Sequence, residues 1–455
     1  MKKVFMLVLL AASLQLVHAQ DLKKVTTNYL LAKLDDAKTE VDKAAADPKQ
    51  QGKPEVLYWK AKVYGAIFKD PTLSAKYPNA RQDAEAAFKA YVAADPAFAV
   101  VKEKGAEGFF DMYGAAFTAG IKSFNDKKWD QAASDFSLAV EFSDYIFKNK
   151  WSSGNQSFDT TSILYEGYAY QNGSKPAEAA KCYMRLADGK VGGPTYMDMY
   201  KFLANHFTVT KDEANFNKYL AVAKELYPKF EWEEFESEYI DQNLTLAEKT
   251  ALYDKEDAAG SLTESKYLQF GDIFSNAHIK DKSMDSTTEA KYSQKAADAF
   301  KKAFAKNSKN AVASYNVAVI YYNFYLTLDD KYASNLRAMR TINAEKPTEK
   351  DPKKKAAVEA LYKQKNEPYL QANATLEKPL MENLNISLEW LEKTYEILKD
   401  KSDRSTVEKA IINKTVDFLA NLYAYKRDRA RGKDLKAMDE YDAKFKVFDA
   451  LHDKY

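Results

Sequence analysis

The residue types that most often carry chemistry are few and scattered in this chain. Four histidines occur, at positions 18, 206, 278 and 452, with a single cysteine, Cys182. Two histidines at i, i+4 on one helix face would give the spacing of a zincin site, and no pair here has it. His206, His278 and His452 each lack a second His or Cys nearby, so each reads as a surface or packing residue. Cys182 cannot form an intrachain disulfide, and beside Tyr183 it reads as a buried thiol on a helix. The run Gly189-Lys-Val-Gly-Gly193-Pro194 is rich in glycine but lacks the Gly-Lys-Ser/Thr ending of a phosphate loop, so it reads as a turn. No Gly-x-Ser-x-Gly nucleophile elbow occurs. With 66 acidic residues in 455, neighbouring carboxylates arise by chance and do not argue for a glycosidase pair. Asn-x-Ser/Thr triplets at Asn155 and Asn373, and Asp-Ser/Thr-Thr triplets at Asp159 and Asp285, are short enough to arise the same way. The expectation is a protein that is not an enzyme, with no catalytic residue, no metal and no cofactor.

Where single residues do little, the elements that carry them matter more. Gly and Pro number only 15 and 12, and the wealth of Ala, Lys, Glu and Leu favours helix nearly everywhere. No stretch alternates with the period of two that marks a strand. A short helical grammar recurs instead. A first helix carries a small residue, usually with an aromatic three later. A second carries a small or apolar residue, an aromatic or Leu four later, and a further apolar residue three after that. The copies are Ala61, Tyr64 with Ala84, Phe88, Tyr91 and Pro96; Gly120 with Trp129, Ala132, Phe136 and Ala139; and Gly167, Tyr170 with Ala179, Tyr183 and Leu186. They continue with Ala204, Phe207, Phe216, Leu220, Ala223 and Pro228; then Gly271, Phe274 with Ala296, Phe300 and Ala303. Next come Ala318, Tyr321 with Leu391, Tyr395 and Leu398, and last Ala420, Tyr423 with a helix over 435–451. The small residues let two helices approach and the aromatics fill the gap, so Trp129, Phe136, Tyr183 and Phe300 are expected in the core.

These residues resemble the tetratricopeptide repeat (TPR), a helix–turn–helix unit of 34 residues. In the second to fourth copies the matching small positions of the two helices lie 12 apart, as the repeat requires, although Phe216 stands where the family prefers a small residue. The resemblance covers most of residues 55–450. It implies an all-α, right-handed TPR-like solenoid of about six to seven helix pairs, with a long helical insertion in the sixth, at about 327–377. The expected order is a signal peptide over 1–19, an N-terminal helix over 20–54 and an N-terminal array over 55–240. A linker or degenerate repeat over 241–262 and a C-terminal array over 263–455 follow. Shorter interruptions fall at 66–80 and 276–290. Helical stretches are expected over 356–362 and over 369–398, the latter rejoining the array, so that a long helical hairpin projects from the solenoid, and the Lys353-Lys354-Lys355 run reads as a solvated face.

In this family the first helices line a concave groove. Carried onto this chain, the groove positions are Tyr58, Lys62, Phe117, Tyr168, Gln171, Lys201, Asn205, Asp272, Asn276, Tyr315 and Tyr322. Lys201 and Asn205 resemble half of the family's carboxylate clamp; Gln269, Val312 and Asn316 stand where its other half would be. Rings and amides in such a row suit an extended peptide.

Lys2 and Lys3, an apolar run over 5–16 and Val17-His18-Ala19 have the form of an export signal cut after Ala19. The run is too short to span a bilayer comfortably. Cutting there removes two lysines and takes the formal charge from +2 to 0, which leaves no overall basic footprint for nucleic acid. No second apolar run of membrane length occurs. The bias toward Lys, Tyr and Asn with an Ala-Gln cut resembles exported Bacteroidota proteins, for which the location would be periplasmic or secreted. The leading expectation is a non-catalytic scaffold binding a protein or peptide partner. The alternative is a glycan-binding protein related to SusD-type TPR proteins, against which stands the lack of a cysteine at the cut for lipid attachment.

Overall fold

The computed structural model describes residues 22–455 apart from residue 155. The expected export segment, with its cut after Ala19, and Asn155 lie outside the described residues. Every regular element among them is a helix, and the chain divides into two compact units between Glu238 and Tyr239.

The first unit runs α1 (22–30), α2 (Leu34–Ala46), α3 (Pro54–Lys69), α4 (Pro71–Lys76), α5 (Ala80–Ala94) and α6 (Ala99–Lys104). It continues with α7 (Glu107–Asn125), α8 (Trp129–Lys148), α9 (Thr160–Asn172), α10 (Pro176–Asp188), α11 (Met197–Thr210) and α12 (Glu213–Leu226). The stretch 20–54, expected as one helix, holds two, separated where Ala32 takes a left-handed φ of 55°. Proline opens α3 and α10, where its missing N–H has no helical acceptor to lose. The loop expected over 66–80 contains α4, capped by Asp70, which accepts from the N–H of Thr72 and Leu73.

Helices pair as the grammar requires: α3 with α5, α7 with α8, α9 with α10 and α11 with α12. Glycine sets the approach distance. A Cβ on Gly120 would lie 2.7 Å from the Phe136 ring, and one on Gly167 would collide with Tyr183. Phe136 and Tyr183 are fully buried, whereas Trp129 is only partly so. Two glycines outside the grammar share one ring: Cβ atoms on Gly65 and Gly108 would stand 3.2 and 3.1 Å from Phe88. In three successive pairs the turn between helices has a left-handed residue seven positions after the small one, at Lys127, Ser174 and Lys211. The backbone thus repeats even where the side chains do not.

Helix α13 (Glu233–Asn243) crosses the division. The second unit goes on with α14 (Leu246–Ala258), α15 (Glu264–Ser275), α16 (Ala277–Lys280), α17 (Ser286–Lys306), α18 (Ala311–Ala344), α19 (Pro352–Leu398), α20 (Thr406–Ala430) and α21 (Leu435–Asp449). The stretch 241–262 is no bare linker. It holds α14, opened by a capping box of Thr245 and Glu248, and Tyr253 packs edge-on against Phe270 and Phe274 of α15.

The pairs here are α15 with α17, α18 with α19, and α20 with α21. A Cβ on Gly271 would lie 2.6 Å from Phe300. In the sixth pair the closeness comes from hydroxyls: Ser387 donates to the Ala318 carbonyl at 2.9 Å and Thr394 to Ser314 Oγ at 2.8 Å, all fully buried. The insertion is the expected hairpin, but its second arm is one helix of 47 residues, with Pro368 and Pro379 inside it. Asn335 donates to Asn373 at 2.8 Å and Tyr362 to the Glu345 carbonyl at 2.8 Å, tying the two arms together. Asn373 is buried, so its sequon is a packing site. The Asp159 and Asp285 triplets are helix caps, each carboxylate accepting from two backbone N–H groups of α9 and α17.

Candidate binding cleft between the fifth and sixth helix pairs

The groups with chemical potential are spent locally. Cys182 is buried, and burial with the neighbouring Glu166 pushes its thiol far up, which leaves it protonated and unreactive. Burial likewise raises Glu166. His206 stacks on Phe202 at 5.9 Å, and burial lowers its pKa. His452 bonds Asp417 at 2.6 Å, which raises it. His278 faces Glu289 at 3.9 Å. No grouping of three or more His, Cys, Asp or Glu residues among the described residues could hold a metal ion. Nor is any described helix long and apolar enough to cross a membrane.

Several groove candidates of the first unit turn into the protein. Tyr58 is buried, its hydroxyl donating to the carbonyls of Lys104 (3.0 Å) and Gly105 (2.9 Å). Lys62 is buried beside it, paired to Glu107 at 2.9 Å and set against the rings of Tyr29, Tyr58 and Trp59. Tyr58 ties α3 to the end of α6 and Lys62 ties it to α7, so neither is free to meet a ligand. Phe117 is half-buried against Phe136 and Tyr165. Tyr168 is half-buried, its hydroxyl 3.3 Å from the Thr195 carbonyl, and exposed Gln171 accepts from Tyr183 at 2.8 Å. Lys201, the expected clamp cation, is paired to Asp198 at 3.1 Å and lies over Phe230, while Asn205 is exposed.

In the second unit Tyr315 and Tyr322 face α20, stacked on Phe418, with Tyr322 at 4.4 Å. Asp272 and Asn276 do reach a concave site. They line a cleft of about 970 Å³ whose walls come from five helices. From α15 come Asp272, Ser275 and Asn276, and from α16 His278. Helix α17 gives Ser286, Glu289, Ala290, Ser293 and Phe300. Helix α18 gives Asn316, Val319, Ile320, Asn323, Phe324 and Thr327, on to Asp330, and α19 gives Asn383. Positions 316, 319, 320, 323, 327 and 330 recur at three- and four-residue spacing, which puts them on one face of α18. Phe300, held in place by Gly271, forms part of the floor with Ile320 and Phe324.

Polar groups in the cleft are only partly engaged. The Asn276 amide donates to the Asp272 carbonyl at 2.9 Å and that of Asn383 to the Pro379 carbonyl at 2.9 Å. Desolvation by the walls raises Asp272 from its ordinary value, although the residue still meets solvent. The arrangement offers amides for a peptide backbone, an apolar floor and three carboxylates, Asp272, Glu289 and Asp330. Val319 and Asn323 lie one and five positions after Ala318, the same offsets that point into the groove in the other pairs, so the signal for them was in the sequence. Asn316 entered that reading only as an unsuitable clamp position, and Ser293 and Asn383 carried no signal.

No protein-family model matches the chain, and no curated protein does. Among solved structures it is similar to a monomeric IFIT1 mutant with m7Gppp-AAAA, at 13% identity over 94% of this chain and 80% of that one, with a TM-score of 0.18. It is also similar to the APC/C hetero-tetramer Cut9-Hcn1, at 11% identity over 96% and 95%, with a TM-score of 0.17. Likenesses with TM-scores this low carry no argument, and the all-α fold of stacked helix pairs rests on the glycine–aromatic and hydroxyl contacts of the chain itself.

Proposed function

We propose that this protein is a non-catalytic scaffold that binds an extended segment of a protein or peptide partner, with the cleft between α15, α17 and α18 as its principal seat. The observation that carries this reading is the cleft itself: a long concavity with an apolar floor and amide-bearing walls, which suits a backbone that must exchange hydrogen bonds along its length. The scattered histidines and the inert thiol fit a surface that holds and does not transform. The N-terminal residues support export, and the Lys, Tyr and Asn bias favours the periplasm of a member of the Bacteroidota.

The test is capture of partners from a periplasmic extract by the chain lacking residues 1–19, compared with Ser293→Trp, which places an indole in the cleft. Capture should fall at least about tenfold in the variant, as expected for losing a principal contact, with the melting temperature unchanged. Undiminished capture would move the seat elsewhere. A glycan-array signal with no protein partner would favour the glycan-binding alternative.

A further inference from the structure

The charge of the cleft departs from the balance of the chain as a whole. The sequence is nearly balanced, with 68 basic and 66 acidic residues, yet the lining holds three carboxylates and neither Lys nor Arg. Three cations on the adjoining helices have partners outside the lining. Lys280 pairs with Asp241 at 2.6 Å, Lys295 with Asp254, and Lys301 with the Tyr321 hydroxyl at 2.8 Å. Asp272 has no side-chain hydrogen bond or ion pair among the described residues. Its field is therefore not cancelled locally, and the apolar floor of Phe300 and Ile320 strengthens any pair formed there.

We propose that this cleft selects a peptide segment carrying a lysine or arginine, whose cation pairs with the Asp272 carboxylate while the amides of Asn316 and Asn323 bond the peptide backbone. The inference rests on the peptide-binding function proposed above and adds the class of side chain. A bare metal ion is disfavoured by the geometry, because the carboxylates are not grouped as ligands. An anionic partner, whether nucleic acid or acidic peptide, would meet a negative surface. Along α18 the lining runs from Asn316 to Asp330, roughly 20 Å at 1.5 Å per residue, which accommodates about six extended residues.

The experiment uses the full mature chain, immobilised, with a random heptapeptide library as the probe and the retained peptides sequenced against the input. The native chain should enrich Lys and Arg at one register position about tenfold, the scale of one charge-assisted hydrogen bond. Asp272→Asn, nearly isosteric, should bring that enrichment down to the input level with an unchanged melting temperature. Ser293→Trp should abolish retention. Retention with no basic preference would overturn the charge inference and leave the peptide-binding function standing. Enrichment that survives Asp272→Asn or Ser293→Trp would overturn it as well. No retention by the native chain would overturn both.

Discussion

Glycine 167 shows how one residue sets the spacing of a repeat. Tyr183 has no exposed surface, and any Cβ at position 167 meets its ring. Gly167→Leu should therefore cost about 3 kcal/mol or more through overpacking, read by chemical denaturation. Gly114→Ala is the control: a Cβ there has nothing within 4 Å, so stability should hold or rise slightly. A second prediction at this scale concerns Asp241, which hydrogen bonds from Lys280 and then Lys249 hold below its ordinary value of 3.8. Its folded pKa lies below the unfolded one, so its contribution is complete above the unfolded value and is lost as pH falls through the folded value. Asp241→Asn should flatten that acid-side loss in a stability–pH profile. The effect at neutral pH should be under about 1 kcal/mol, because the carboxylate is half-exposed and solvent screens it.

At the scale of elements, the hairpin of α18 and α19 departs most from a plain helix pair. The sequence suggests a break near Pro368, because proline removes an N–H and crowds the preceding turn. The helix nevertheless continues, since the arms are cross-linked by Asn335–Asn373 and Tyr362–Glu345 on either side of the proline. Pro368 is exposed, so Pro368→Ala should restore a bond to the Gln364 carbonyl without disturbing the core. We expect a gain of about 1–3 kcal/mol in local stability, seen as slower amide exchange over 364–372; unchanged exchange would mean that the helix already accommodates the ring. The pairing of these two helices was expected, but the hydroxyl contacts that close it were not legible in the sequence. Ser314, Ser387 and Thr394 look like surface residues by type, and only the Thr394–Ser314 hydrogen bond and that of Ser387 to the Ala318 carbonyl make them fit for a core.

At the scale of the whole molecule, the proposed cut after Ala19 would bring the formal charge from +2 to zero, and the near balance of charge hides local asymmetry such as the acidic cleft. Expression in a Bacteroidota host should give a periplasmic chain beginning at Gln20, with the mass of 436 residues (455 less 19). Intact-mass spectrometry of the periplasmic fraction checks this, and a full-length or cytoplasmic product would sink the export proposal. The helices and most of their pairings follow from the sequence because packing imposes a local rule: a small residue must meet a ring at fixed spacing, as at Gly120–Phe136 and Gly271–Phe300. The direction taken by the neighbours of those residues follows no such rule. Tyr58 and Lys62 occupy groove positions by register, yet they are buried because α6 and α7 supply Lys104, Gly105 and Glu107 to satisfy them. Tyr315 and Tyr322 are claimed by Phe418 from a helix about a hundred residues away. Asp272 and Asn276 stay in the cleft because no comparable partner takes their side chains. Sequence alone determined which residues pack within a helix pair, since that depends on periodicity. Tertiary structure decided which remain available to a ligand, since that depends on partners brought from distant parts of the chain.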